Sequence, residues 1–595
     1  MSKIMIRIMI RITAIILTLS FFASLLVACD KTDENVTEPK DEATEAPTEE
    51  STEEPTEKPT KPVETMDESR FNFLFKKELT CAFVLPDNST DDENAVAEEL
   101  EALFLSKLKK KPVFVKESEL TDSLPYALFI GNTSSQTAKD AIAALGERDA
   151  AVVSDGNKLF LVFESLSSGK GAAEALVEEI DTDKALKNAW LPLDFSLKYK
   201  ALPEIDLLPA YEEDATVIDS GLNTELLVAN WVSANAFEDY CADIEAAGFR
   251  KDFDREEGDN HFVTFLAENH YVYVYRTGYN EQMRRVIAPI EQYARPDYTE
   301  PERDEYDMPY IASIPQPSSG EGYILRLPDG RFIIFDGGYK DDDRVYKTLR
   351  ELESKEIVIA AWFISHPHGD HYPAFIDFIK NHSHDRTITI QSVMHNFTHY
   401  DRYYINGSAG KDTSGDSIKE IYEAIETYVP EVPLIKVHTG QMMTFGSTTV
   451  EVIYTIEDLM PKTIPNINDS SLVIRVTMAD RSIMLLADTC YDSGPIMHKM
   501  WGDHLKSDIV QVAHHGMWPS VAEIYEDIKA EIVLFPDLKK NVKSWIKDSR
   551  WKSVMDVILS YAVDIYISGD ALEIIEFQPF PENNKDSVLH MLENL

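Results

Sequence analysis

Ser365-His366-Pro367-His368-Gly369-Asp370-His371 follows the apolar run Ile357-Val358-Ile359-Ala360-Ala361-Trp362-Phe363-Ile364. Imidazole nitrogens and carboxylate oxygens are ligands for zinc, iron or manganese. A tight turn at the end of a buried strand can aim His366 and His368 at one ion. Asp370 and His371 can then face a second ion beside it. Such a pair generates a nucleophilic hydroxide at neutral pH and clamps the attacked group. A single histidine in a polar turn is ordinarily a surface residue. His-x-His-x-Asp-His at a strand end reads instead as a metal site.

Three further segments could complete it. Gly322–Gly338 reads as two alternating apolar strands around Asp329-Gly330, a hairpin that ends in Asp336-Gly337-Gly338. Ser471–Val476 and Ser482–Asp488 read as paired strands, the second ending in Asp488. Ser507–Val512 reads as a strand that runs into Ala513-His514-His515-Gly516.

In this order the motifs resemble the metallo-β-lactamase fold family of hydrolases over roughly residues 300–580. The His-His-Gly segment, with Asn468-Asp469-Ser470-Ser471 before it, is similar to the branch that includes the hydrolase domain of DNA-internalisation competence proteins. Cell-wall choline-phosphate esterases lie near the same branch. The resemblance implies an αββα sandwich with two divalent ions, zinc first and manganese or iron next. It makes Asp336 a support beneath the metal loop and Asp488 the bridging ligand. It also makes His514 the last ligand of the second ion, with His515 facing substrate, although the sequence does not fix the order of that pair. Ala487 stands where the family carries glycine. The family's third histidine for the first ion falls on His395, at the end of Thr387–His395. His399, on a loop, and His438, read as a surface residue, compete with it. The expected ligands are thus His366, His368, Asp370, His371, His395, Asp488 and His514. Asp370 and His515 are the expected catalytic residues.

The rest of the chain must carry and position this unit. A length of 595 residues allows several domains of about 150 residues. Residues 1–28 read as a lipoprotein signal peptide: Lys3, Arg7 and Arg11 precede an apolar run that ends in Leu26-Val27-Ala28-Cys29. That box resembles a bacterial lipoprotein processing site, which makes Cys29 the lipidated residue and places the protein on the outer face of the cytoplasmic membrane. Residues 29–70, rich in Thr, Glu and Pro, read as a disordered tether. Residues 71–205 alternate strand and helix and resemble the small α/β domain found ahead of catalytic barrels in glycoside hydrolases. Residues 206–297 form a second small α/β unit in which Tyr271, Tyr273 and Tyr275 share one strand face, either a stacking surface or, as is usual for strand aromatics, packing. The hydrolase domain is expected over 298–595. The fold class is α/β throughout.

Lys and Arg number 57 against 104 Asp and Glu, a formal net charge of −47. That balance opposes nucleic acid as a partner and leaves a small-molecule or cell-envelope substrate. Beyond Cys29 only Cys81, Cys241 and Cys490 remain, without the spacing of a disulfide framework. Cys490 is read as a packed small residue. The expected activity is surface-anchored hydrolysis of a phosphodiester or ester bond. A non-catalytic binding protein on a hydrolase scaffold and an envelope nuclease are the alternatives.

Overall fold

The computed structural model describes residues 65–577, apart from 212–213, 295–296, 299–307, 341–342 and 408–409. The signal peptide, Cys29 and nearly all of the expected tether lie outside the described residues. Among the described residues no helix is long and apolar enough to cross a membrane.

Two eight-stranded sheets form the C-terminal half. One runs in the order Leu434–Lys436, Val393–His395, Ile357–Phe363, Phe332–Asp336, Gly322–Arg326, Tyr310–Ser313, Ile574–Glu576, with Ile388–Ile390 paired beside Ile357–Phe363. The other centres on Thr448–Tyr454, Val473–Met478, Arg481–Leu485, Ile509–Gln511 and Ile532–Phe535. Alternation along the strands separates two cores. Tyr323, Leu325, Ile333 and Phe335 of the first sheet pack with Val452, Ile474, Ile483 and Leu485 of the second. Their neighbours Ile324 and Ile334 face outward with Val345, Leu349, Phe375 and Phe378, which come from the helices Arg344–Leu352 and Pro373–His382. Met484, Val510 and Val533 likewise join Met497, Ile524 and Met555 from the helices Ser493–Trp501, Ala522–Ile528 and Lys552–Tyr561. The layers are therefore helix, sheet, sheet, helix.

The predicted hairpin is present, with Gly322 opposite Asp336 and Arg326 opposite Phe332. The segment Thr387–His395, read as one strand, is two: Ile388–Ile390 and Val393–His395 each pair in parallel with Ile357–Phe363.

A six-stranded antiparallel sheet over residues 215–289 covers one side of the sandwich. Its outer face holds the helix Ala234–Ala246. Its inner face carries Tyr271, Tyr273 and Tyr275, all fully buried. Their hydroxyls bond His438 Nε2 at 2.8 Å, the Thr439 carbonyl at 2.8 Å and Asp458 Oδ1 at 3.1 Å. The tyrosine stripe is thus packing whose polar tips weld this sheet to the sandwich.

Residues 70–200 form a six-stranded and a four-stranded sheet with the long helices Asp91–Leu108 and Leu166–Glu178. Thr90 and Glu93 close a capping box on the first helix, at 3.2 and 2.8 Å.

Candidate metal centre

The chemistry-bearing side chains all follow the ends of central strands. After Ile357–Phe363 the chain turns through Ser365–Tyr372 and enters the helix that begins at Pro373, a residue pre-set for a first helical turn. Gly338 clamps this loop from below, its N–H donating to the His371 carbonyl at 3.0 Å. At φ +90°, with Gln316 atoms 2.0 Å from where a Cβ would stand, only glycine fits there.

Asp336 is fully buried and orients both halves of the site. Its Oδ2 accepts His371 Nδ1 at 2.8 Å and the Ser365 hydroxyl at 2.6 Å. The same hydroxyl lies 3.0 Å from His366 Nδ1. Both imidazoles therefore turn Nε2 inward, as metal-bound histidines require. His515 Nδ1 donates to the Pro536 carbonyl at 2.8 Å and presents Nε2 in the same way.

Asp488 sits at the centre, and its two oxygens sort the histidines. Oδ1 lies 3.3 Å from His371 Nε2 and 3.5 Å from His515 Nε2, and His515 Nε2 is 3.4 Å from Asp370 Oδ2. Oδ2 lies 3.7 Å from His366 Nε2 and 3.6 Å from His514 Nε2. His366 Nε2 and His368 Nδ1 are 3.1 Å apart. Asp370, His371, Asp488 and His515 offer one group of convergent ligand atoms. His366, His368 and Asp488 offer another.

A test of fit is whether these atoms are satisfied without an ion. Asp488 Oδ1, His371 Nε2 and His515 Nε2 are buried and have no hydrogen-bond partner. Buried polar atoms are rarely left so, and three of them converging on one point suit a bound cation. The charges agree. Burial alone would depress His371 and His515. The carboxylates of Asp488, Asp336 and Asp370 outweigh it, holding His371 well above the ordinary imidazole value and His515 at about 9. His366 differs: burial, with the neighbouring His371 and His368, holds it well below its ordinary value.

The structure corrects two assignments. His515, not His514, joins Asp370 and His371. Consecutive left-handed residues, at φ +49° and +58°, turn the two rings apart. His514 instead lies 3.2 Å from Asn468 Nδ2 and 3.2 Å from Cys490 Sγ, with Trp518 edge-on at 5.1 Å. Cys490 is buried, as expected, and touches this histidine. His395 is not in either group. Strand alternation sends Met394 into the inner core and His395 to the outer face, beside Phe397 and Tyr422. Its competitors are absent as well. His399 caps a short turn, its Nδ1 accepting the Asp401 N–H, and His438 is fully buried against Glu457.

Asp412 was not anticipated. It lies in the second strand of the hairpin Tyr404–Gly407/Gly410–Thr413 and places Oδ2 3.5 Å from His368 Nε2, the nitrogen turned away from the centre. The His368 contact, with the Ser414 N–H and hydroxyl, holds Asp412 down at about 2. Gln511 is a second addition. Its Oε1 accepts the N–H groups of Leu486 and Ala487, both at 2.7 Å, which fixes the turn into Asp488. Ala487 adopts φ +46°, a conformation that favours glycine. Asp469 Oδ1 accepts the N–H groups of Cys490, Asp492 and Ser493 at 2.9 to 3.1 Å and so holds the loop beyond Asp488.

Fold and side chains together define an αββα sandwich with a candidate two-ion centre. No family profile and no curated protein matches the chain. Solved structures do. The metallo-beta-lactamase fold protein YhfI from Bacillus subtilis is 17% identical, with 45% of this chain and 100% of that one covered and a TM-score of 0.29. CmlA, a diiron beta-hydroxylase from Streptomyces venezuelae, is 12% identical over 47% of this chain and 55% of its own, at 0.29. Zn(2+)-bound PqqB from Methylobacterium extorquens is 6% identical over 44% and 90%, at 0.27.

Proposed function

We propose that this protein is a dinuclear metal-dependent hydrolase of phosphodiester or ester bonds. The observation that carries the reading is the convergence of two ligand groups on Asp488, His371 and His515 facing Oδ1 and His366 facing Oδ2, with three buried atoms of the first group unsatisfied. His366, His368 and Asp488 would hold one ion, and Asp370, His371, His515 and Asp488 the other. Bound there, two divalent ions supply an activated water and a clamp for the attacked group. Asp336 keeps His366 and His371 in the tautomers that binding needs. His514, held by Asn468 and Cys490 outside both ligand groups, donates to the developing charge or protonates the leaving group. Phosphodiesters lead because of the His-His-Gly branch the segment resembles. The reading includes lipidation at Cys29, residence on the outer face of the cytoplasmic membrane and a small-molecule or cell-envelope substrate.

The test uses the full-length protein, stripped by chelation and reloaded with zinc or manganese, on a chromogenic phosphodiester. Metal-restored turnover that Asp370→Ala lacks is the expected result. Metal uptake without phosphodiester turnover moves the substrate to carboxylic esters. Failure to take up metal overturns the reading.

A further inference from the structure

A cleft of about 530 Å³ opens where the helix Asp91–Leu108 ends against the strands Arg70–Phe75 and Asn188–Pro192. Its floor is Leu74 and Leu108. Its wall carries six lysines: Lys77, Lys107, Lys109, Lys110, Lys184 and Lys187. In a chain of 57 basic and 104 acidic residues this is a sharp local reversal of sign.

Ordinary structural duties account for only part of it. Lys107 Nζ donates to the carbonyls of Val177 and Glu178, both at 2.7 Å, and so caps the neighbouring helix. Lys110 lies 3.8 Å from Glu78. Lys77, Lys109, Lys184 and Lys187 are exposed and have no carboxylate within ion-pair distance among the described residues. The one acidic wall residue, Asp183, is turned to the backbone: Oδ1 accepts the N–H groups of Ala185 and Leu186 at 2.9 and 3.0 Å. It neutralises none of the four.

The backbone adds a second observation. Lys77, Lys109 and Lys187 adopt φ of +73°, +53° and +57°. Glycine or asparagine is the unstrained choice at each. Three strained turns that all keep lysine, and all face one cleft, resemble the strain that collects at ligand clamps. The Lys77 N–H bonds the Lys187 carbonyl at 2.9 Å, which fixes two of these turns to one another.

We infer that this cleft binds a phosphate-bearing anion, with Lys77, Lys109, Lys184 and Lys187 as the contacts. Ammonium groups on flexible stems are point-charge phosphate binders. The volume lies within the range of small-ligand sites and suits one or two phosphorylated units. It is too confined to track a duplex, and the acidic remainder of the chain repels one. The same chemistry reaches the cleft either on a soluble polyanion or on a lipid headgroup. Leu186, in the same turn and 40% exposed, suits either. The site does not depend on the metal centre. It would hold the chain to a phosphate-rich surface or polymer while the sandwich works elsewhere.

The experiment titrates the full-length protein with inorganic tripolyphosphate by calorimetry, beside Lys109→Gln/Lys184→Gln/Lys187→Gln. Flotation with phosphatidylglycerol vesicles and with phosphatidylcholine vesicles runs in parallel. Saturable, salt-sensitive tripolyphosphate binding that the triple variant weakens by roughly tenfold or more is expected. Binding to phosphatidylglycerol vesicles alone, lost in the variant, assigns the headgroup as source. No binding to either probe overturns the inference, as does binding that the variant retains. Equal binding of duplex DNA also overturns it, in favour of an unselective polycation. Zinc uptake by the variant equal to that of the parent shows that the fold is intact.

Discussion

The two halves of the metal centre are built unequally. Around Asp488 Oδ1, Asp370, His371 and His515 converge, and both imidazoles are locked from behind by Asp336 and the Pro536 carbonyl. Around Asp488 Oδ2 the ligand group is His366 and His368, with His514 Nε2 3.6 Å from the same oxygen, and His368 is steadied from a hairpin by Asp412 at 3.5 Å. The half at Oδ2, the first half, has three protein ligands, and the half at Oδ1, the second half, has four. The halves differ in charge as well. Carboxylates push His371 well above the ordinary imidazole value and His515 up to about 9, whereas burial pushes His366 well below it. One half is a cage locked from behind by Asp336 and the Pro536 carbonyl. The other is a looser, neutral pair whose geometry depends on a neighbouring strap.

The largest effect belongs to the residue both halves share. Asp488→Ala should abolish binding of both ions, read by elemental analysis after dialysis, with turnover below detection. One retained ion would show that the halves are independent. His515→Ala should remove the second-half ion only. His514→Ala should leave metal content intact and lower turnover by about 10² to 10⁴, the usual range for a lost proton donor. The reverse pattern would restore the assignment that the sequence resemblance implied.

The supports should follow the same asymmetry. Asp336→Asn weakens affinity in both halves, most in the second, where it falls by about 100-fold, and Asp412→Asn weakens first-half affinity alone by about 10-fold, the span expected for partners of ligating histidines. The visible spectrum of the cobalt-loaded protein separates these roles from a general loss of fold. Proton linkage sharpens the contrast. A proton on His515 or His371 competes with the ion, so second-half affinity should climb as pH rises toward about 9. First-half affinity should be nearly flat over the same interval. Calorimetry in buffers of different ionisation heat reads the difference. The smallest effect is on stability. Ala487→Gly relieves a left-handed residue and should raise the unfolding free energy by about 0.5–1 kcal/mol, read by chemical denaturation.

Most ligands of both halves were legible in the sequence. His366, His368, Asp370, His371 and Asp488 announce themselves because they close apolar strands, and strand ends are readable from periodicity. Asp336 was legible as the end of a hairpin with an Asp-Gly turn. The order of His514 and His515 was not, because it depends on left-handed backbone angles that neighbouring residue types do not encode. His395 misled because two short strands were read as one, and alternation then placed its side chain on the wrong face. Asp412 carried no signal: it lies 44 residues from His368 and meets it only through tertiary packing. The tyrosine stripe had the correct period, but only the facing sandwich decides that it packs rather than binds.

The most direct test of the two-ion centre is a stepwise zinc titration of the metal-free full-length protein, followed by calorimetry beside His515→Ala. The account predicts two classes of site, with the tighter releasing protons at pH 7 and disappearing in His515→Ala. A single class that His515→Ala leaves unchanged would contradict it.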